Sequence, residues 1–192
     1  FKINLIKGEK TNIKITYPED LIYFNLFKKP ILKSGIGYDI HQIDKKTKKG
    51  LKLCGVSLPF SKLIGHSDAD VGLHAICDSI FGALSMRDIG YHFPNNKKKW
   101  KNADSSLFVI YCREKLIEKG FSITNLDINI IAEKPKINKF VKQMKIKISK
   151  LLQIKTNCIS IKATTNEKIG FIGNGEGIAA ESIVQISNEN YN

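Results

Sequence analysis

An α+β fold, a sandwich of helices laid on a sheet, is what this sequence predicts. Segments patterned as strands interleave with segments patterned as helices, and each is long enough to form one amphipathic layer. At 192 residues the chain has ample length to bury a core, and its 42% apolar content is that of an ordinary globular protein.

Residues 35–40 read as the first strand, a short run that is apolar on either side of one acid. Residues 51–53 form a brief second one. The spacing of Val71, His74, Ile76, Ile80 and Leu84 predicts a helix over 71–85, with Asp70 as its N-cap. Residues 88–101, rich in Asn and Lys, read as an irregular loop. A helix over 104–119 starts on Asp104 as N-cap and stops at Gly120. Residues 126–132 alternate around Asp127 and Asn129 as a strand. Phe140, Val141, Met144, Ile148, Leu151 and Leu152 place a helix over 138–152. Strands over 159–163 and 177–186 complete the sheet. Residues 170–177 are too glycine-dense for the interior of a helix or strand, and read as a tight loop. They lack the strand–turn–helix frame of a dinucleotide site.

Within the first strand lies Asp39-Ile40-His41. Residues two apart share a strand face, so the carboxylate and the imidazole project together. Alone, such a pair is more often a hydrogen-bonded surface couple than a metal half-site. The chain has only four histidines, His41, His66, His74 and His92, and two of them lie in Gly65–His74. His74 falls in the first turn of the predicted helix, with Asp78 one turn later on the same face. An acid there could take the proton of the non-ligating ring nitrogen, as outer partners of zinc histidines do. Asp39, His41 and His74 together make three ligands, which leaves a tetrahedral Zn²⁺ one open position. Glu167, in the polar run Lys162–Lys168, is a hard oxygen ligand suited to Mg²⁺ or Mn²⁺.

The formal charge of +13 raises the question of nucleic acid, but the lysines are widely spread and no aromatic-interleaved basic motif appears. A compositional preference for Lys, Ile and Asn accounts for the charge, and a positive field also attracts a phosphorylated substrate. Cys54, Cys77, Cys112 and Cys158 are isolated and expected as reduced thiols. No apolar run approaches the ~18–20 residues of a membrane span. A soluble, intracellular protein with no nucleic-acid or membrane partner is therefore expected.

Gly37-Tyr38-Asp39-Ile40-His41, the run His66–His74, Asp88–Pro94 and Ile161–Phe171 occur in an order and spacing that closely resemble the 2-C-methyl-D-erythritol 2,4-cyclodiphosphate synthase family. The resemblance spans about residues 34–187. It implies a ferredoxin-like sandwich, a cyclic homotrimer with sites shared between subunits, and one zinc per subunit with Mg²⁺ or Mn²⁺ arriving with substrate. It implies a substrate, 4-diphosphocytidyl-2-C-methyl-D-erythritol 2-phosphate, that cyclises with release of CMP. Carried over residue by residue, it makes His66 and Thr165 transition-state stabilisers and Ser67 a phosphate contact. It puts Asp88, Ile89 and Gly90 at ribose hydroxyls, with Ile40, Phe93 and Asn95 beside the substrate. Ala132, Lys134, Lys136 and Ile137 enclose cytosine and reach the phosphates. Thr164, Asn166, Phe171 and Asn174 complete the contacts, and His92 is left as a surface residue. Two positions depart from the family: Asn174 stands where Arg is common, which removes a bidentate phosphate clamp from the trimer's central cavity, and Asn95 replaces a frequent Asp.

Residues 1–33 precede these motifs. Glu9, Glu19 and Asp20 argue against a targeting peptide, and 11–21 resembles the closing segment of the cytidylyltransferase that is fused to the cyclase in some bacteria. The expected organisation is a transferase remnant or linker over 1–33 and a cyclase domain over 34–192. A bacterial cytoplasm is the expected location, or a plastid stroma in a eukaryote. Two other functions fit the unaided residues. A zinc phosphohydrolase would release inorganic phosphate, and a basic binding module with a structural zinc would show no turnover.

Overall fold

The computed structural model describes residues 1–9, 12–22 and 30–188. It divides into two units, Phe1–Pro30 and Ile31–Asn192. In the first, the Asp20 carboxylate accepts from the backbone N–H groups of Thr16 and Tyr17 at 2.8 and 2.9 Å and closes a turn. Thr11, which opens the segment similar to a cytidylyltransferase, lies outside the described residues, as do residues 23–29.

The second unit is built on a four-stranded sheet. Its first strand, β1, runs Leu32–Gln42, and a hairpin of β2 (Gly50–Leu53) and β3 (Val56–Ser61) follows. Helix α1 (Val71–Ala83), the single turn α2 (Ile89–His92) and helix α3 (Ser106–Glu118) come next. Strand β4 (Ser122–Ile131), helix α4 (Val141–Leu152), strand β5 (Ile159–Thr164), the turn α5 (Gly170–Gly173) and strand β6 (Gly177–Ser187) complete the chain. The sheet order is β1-β6-β4-β5: β6 is antiparallel to both neighbours, while β4 and β5 are parallel and joined through α4. A mixed α+β sandwich is thus formed, as expected.

Strand β6 shows why one face is core. Ile178, Ala180, Ser182, Val184 and Ile186 are buried, whereas Glu181, Ile183 and Gln185 face out. Leu126, Ile128 and Ile130 continue that inner face on β4. Helix α4 covers part of it with Met144, Ile148, Leu151 and Leu152, and Gln153 in the left-handed region ends the helix. Gly120, at φ +70°, ends α3 in the same way. Helix α3 begins at Ser106 with Ser105, not Asp104, in the N-cap position, while the Asp104 carboxylate accepts from Ser106 N at 2.8 Å just ahead of the first turn.

Four departures from expectation have local causes. The β2–β3 hairpin is made by Cys54-Gly55, both at positive φ. That is the geometry of a two-residue primed turn, but with Cys where Asn or Asp usually signals it. Residues 88–101 hold α2 and a 3₁₀ turn over Lys98–Trp100. The glycine-dense loop accommodates α5, because Gly173 packs flat on the Lys168 backbone, where a Cβ would stand 2.3 Å from its carbonyl carbon. His92 is not a free surface residue. Its ring stacks on Phe81 at 4.1 Å, and Nε2 donates to the Met86 carbonyl at 2.9 Å.

Candidate metal centre and substrate loops

On β1 the residues facing the helical layer are Gly35, Gly37, Asp39 and His41, in strict alternation. The two glycines let α1 lie directly on the strand. A Cβ at Gly35 would stand 2.0 Å from Ser79 O, and one at Gly37 the same distance from Ala75 O. With the helix axis this close, His74 in its first turn comes down onto Asp39. Asp70 fixes where the helix starts. Fully buried, its carboxylate accepts from Leu73 N at 3.0 Å, from Cys54 N at 2.8 Å and from Gly55 N at 2.6 Å. Gly72 admits the Cys54 thiol to the same turn, since a Cβ there would be 2.4 Å from Sγ.

The result is a convergent trio. Asp39 Oδ2 lies 2.8 Å from His74 Nδ1 and 3.2 Å from His41 Nε2. The ligand atoms of Asp39, His41 and His74 all fall within 4.8 Å of one another, the only such group among the described residues. Burial works against ionising Asp39, but hydrogen bonds and charge from both histidines outweigh it and hold the carboxyl well below the usual range. Burial likewise opposes a charged His41, yet the Asp39 carboxylate wins and raises it.

Proton accounting shows that this donor set fits a cation. His41 Nδ1 is 2.8 Å from the Ile64 carbonyl, which can only accept, so His41 carries a proton there. Its Nε2 can then offer a lone pair to the point that Asp39 Oδ2 also faces. His74 has hydroxyls at its far nitrogen, Ser105 Oγ at 2.8 Å and Ser67 Oγ at 3.1 Å, and Nδ1 turned inward. One carboxylate oxygen and two imidazole nitrogens, from one strand and one helix, are a donor set that suits a divalent metal ion. Asp78 is not part of it. Its Oδ1 accepts from Ile89 N at 2.7 Å and tethers α2, so the outer partner of His74 is Ser105.

The other candidate residues fall in three places. His66 is exposed and Ser67 half-buried in the turn before α1, where Ser67 lines a cavity of about 530 Å³ with Asp68, Lys52 and Asn102. Asp88 caps α2 by accepting from Tyr91 N at 2.8 Å, with Ile89 half-buried and Gly90 exposed. Asp78 and Asp88 share a cavity of about 360 Å³ with Arg87 and Tyr38. Phe93 stacks on Phe108 at 4.3 Å and meets Trp100 edge-on, which anchors the loop that carries exposed Asn95. Ile40 is half-buried on the sheet face away from α1.

The third place is the joined ends of β4 and β5. Ala132 N donates to Thr164 O at 3.0 Å, which sets the two following loops side by side. Glu133, which sequence reasoning passed over, ties them together: its Oε1 accepts from Asn166 N at 2.9 Å and Lys168 N at 3.3 Å. Glu167 and Lys168 are both at positive φ, and Thr165 Oγ1 donates to Glu167 at 3.0 Å. Exposed Lys134 and Asn174 line a cavity of about 470 Å³ with Phe60 and Lys168. Lys136, Thr164 and Phe171 are exposed, Asn166 is half-buried, and Ile137 is buried as an anchor.

Comparison with known proteins agrees with this layout. The model of the YgbB family matches residues 32–187, the whole of the sheet and its helices. The chain belongs to the YgbB family. Among relatives, it is 48% identical over 161 residues to the 2-C-methyl-D-erythritol 2,4-cyclodiphosphate synthase of Ehrlichia canis, which covers 81% of this chain and 93% of that protein. It is 42% identical over 187 residues to the bifunctional enzyme IspD/IspF of Gluconobacter oxydans, 96% of this chain but 48% of that one. The chain spans about half the length of the bifunctional relatives it matches. Among solved structures, a Plasmodium falciparum IspF in complex with CDP superposes with a TM-score of 0.73 at 38% identity, covering 83% of this chain and 97% of that one. This YgbB-family chain therefore shares its fold with a protein that holds a cytidine diphosphate.

Proposed function

We propose that this protein converts 4-diphosphocytidyl-2-C-methyl-D-erythritol 2-phosphate to 2-C-methyl-D-erythritol 2,4-cyclodiphosphate and CMP, in non-mevalonate isoprenoid synthesis. The observation that carries this is the convergence of Asp39, His41 and His74 in a chain of the YgbB family. In the reaction the 2-phosphate oxygen attacks the β-phosphorus and the bond to the CMP oxygen breaks. The nucleophile is already an anion, so the protein has to position groups and neutralise charge. When bound, Zn²⁺ on Asp39, His41 and His74 and a Mg²⁺ or Mn²⁺ near Glu167 supply Lewis acidity to the diphosphate oxygens.

The residues do the rest. Ser67, and His66 beside it, offer donors to the 2-phosphate and hold the attacking oxygen in place. Thr165 offers its hydroxyl to charge developing at phosphorus, a contact that counts when it is stronger in the transition state. Asp88, with the Ile89 and Gly90 backbone, suits sugar hydroxyls. Ala132, Lys134, Lys136 and Ile137 suit cytosine and its phosphates, a role supported by the CDP held by the P. falciparum neighbour. The two-layer sandwich supports the ferredoxin-like description, and the exposed Ile36–Ile183 pair with Tyr38 on the outer sheet face supports burial in a homotrimer. Matching of bifunctional relatives over 96% of the chain, against 81% for the E. canis synthase, supports kinship of residues 1–33 with a cytidylyltransferase.

Product analysis with the diphosphocytidyl substrate is the test. CMP and a cyclic diphosphate are expected in equal amounts. Inorganic phosphate instead would mean a hydrolase, and no turnover a binding protein. Glu167→Gln is expected to keep zinc while losing about 10²-fold in turnover, a typical cost of removing one transition-state contact. Raised Mg²⁺ or Mn²⁺ should recover part of it. Loss of zinc from that variant would contradict the assignment of Glu167 to a separate ion.

A further inference from the structure

We propose that Ser105 and Asp68 form a hydrogen-bonded relay that fixes the ring proton of His74 on Nε2, and thereby sets how tightly the Asp39–His41–His74 site binds its metal. They are positioning residues, since neither is among the three convergent ligand atoms. The inference rests on the metal site of the proposed function.

The argument is one of proton direction. Ser105 Oγ donates to Asp68 Oδ1 in a short hydrogen bond. A hydroxyl has one proton, so towards His74 Nε2, 2.8 Å away, the same oxygen can only accept. Nε2 must then carry the ring proton. Nδ1, 2.8 Å from Asp39 Oδ2, is thereby the nitrogen whose proton a cation displaces, leaving its lone pair to the metal while Nε2–H stays on Ser105. Asp68 is held in this role by donors alone, Lys52 Nζ at 3.2 Å and the Ser105 backbone N–H at 3.2 Å. Ser105 is fully buried and His74 is 8% exposed, so water competes poorly for these groups. The relay also leaves Ser67 free. Its oxygen is 3.1 Å from Nε2 and accepts weakly from Ala69 N, so its own proton is unspent and can reach a phosphate oxygen. Ser67 and Asp68, adjacent in sequence, thus serve the substrate and the metal ligand respectively.

Asp68 also caps the start of α3 through Ser105 N, and a purely structural role has to be separated from the relay. Ser105→Ala keeps that backbone contact and removes only the hydroxyl. With Zn²⁺ as the probe and a chelator in competition, the full chain carrying Ser105→Ala is expected to bind zinc 10–100-fold more weakly, the usual cost of losing an outer partner. Ser105→Thr restores the hydroxyl and should restore affinity. Asp104→Asn, which alters the other acceptor of Lys52 but leaves the relay intact, should bind zinc as the native chain does. In ¹⁵N-resolved NMR of the zinc-loaded protein, the His74 Nε2 proton is expected to exchange slowly with water, held by its bond to Ser105 Oγ, and to exchange faster in Ser105→Ala.

Ser105→Ala with native zinc affinity, or with an Nε2 proton that exchanges no faster than in the native chain, would overturn the relay. Because affinity is read without turnover, a chain that shows this pattern yet releases no CMP would refute the cyclase and leave the relay standing.

Discussion

His74→Ala is expected to strip zinc from the protein and to lower turnover by on the order of 10³-fold, the equivalent of several kcal/mol of charge stabilisation. The reason is geometric. Asp39 Oδ2, His41 Nε2 and His74 Nδ1 are the whole donor set, and His74 is the single contribution from α1. The two that remain, both on β1, leave half a site. The helix itself should survive, because its start is set by Asp70, which keeps its hold on Leu73, Cys54 and Gly55. Metal content by elemental analysis, alongside circular dichroism, reads both halves of this expectation. Full zinc occupancy with native turnover would dismiss the ligand set.

Gly37→Ala should be about as damaging, through backbone contacts that never appear in a motif search. The added methyl would lie 2.0 Å from Ala75 O and 2.7 Å from Ser79 N, both backbone atoms of α1. No rotamer relieves such a clash, so the helix has to lift from the strand, at a cost of about 3 kcal/mol or more. His74 precedes Ala75, so lifting the helix also draws Nδ1 away from Asp39. Denaturation and zinc titration should therefore fail together. A variant with the native unfolding midpoint would mean that helix and strand are less closely seated than the distances require.

These two cases show what was legible in the sequence. Asp39, His41 and His74 could be paired because strand and helix periodicity each put ligands on a defined face. The same alternation places Gly35 and Gly37 on the metal face, a signal that was present but carried no chemistry of its own. Asp78 was misassigned because the i, i+4 rule finds neighbours on one helix and cannot weigh a partner from another element. Ser105, 31 residues from His74, has no local signature, and only the docking of α3 brings it to the ring. Hairpin β2–β3 escaped notice because Cys54 takes a positive φ that its identity does not advertise. Glu133 was passed over because a loop carboxylate that binds backbone amides looks, in sequence, like any solvated acid.

The buried Asp70 carboxylate has a bearing on how the molecule opens. It accepts from Leu73 at the head of α1 and from both residues of the β2–β3 turn, elements separated in sequence by some fifteen positions. Neither can separate without stranding a carboxylate or an amide out of reach of water. Hairpin and helix start are thereby coupled into one cooperative unit. The amides of Cys54, Gly55 and Leu73 should exchange with solvent deuterium at a common rate, set by a shared opening rather than by local fraying.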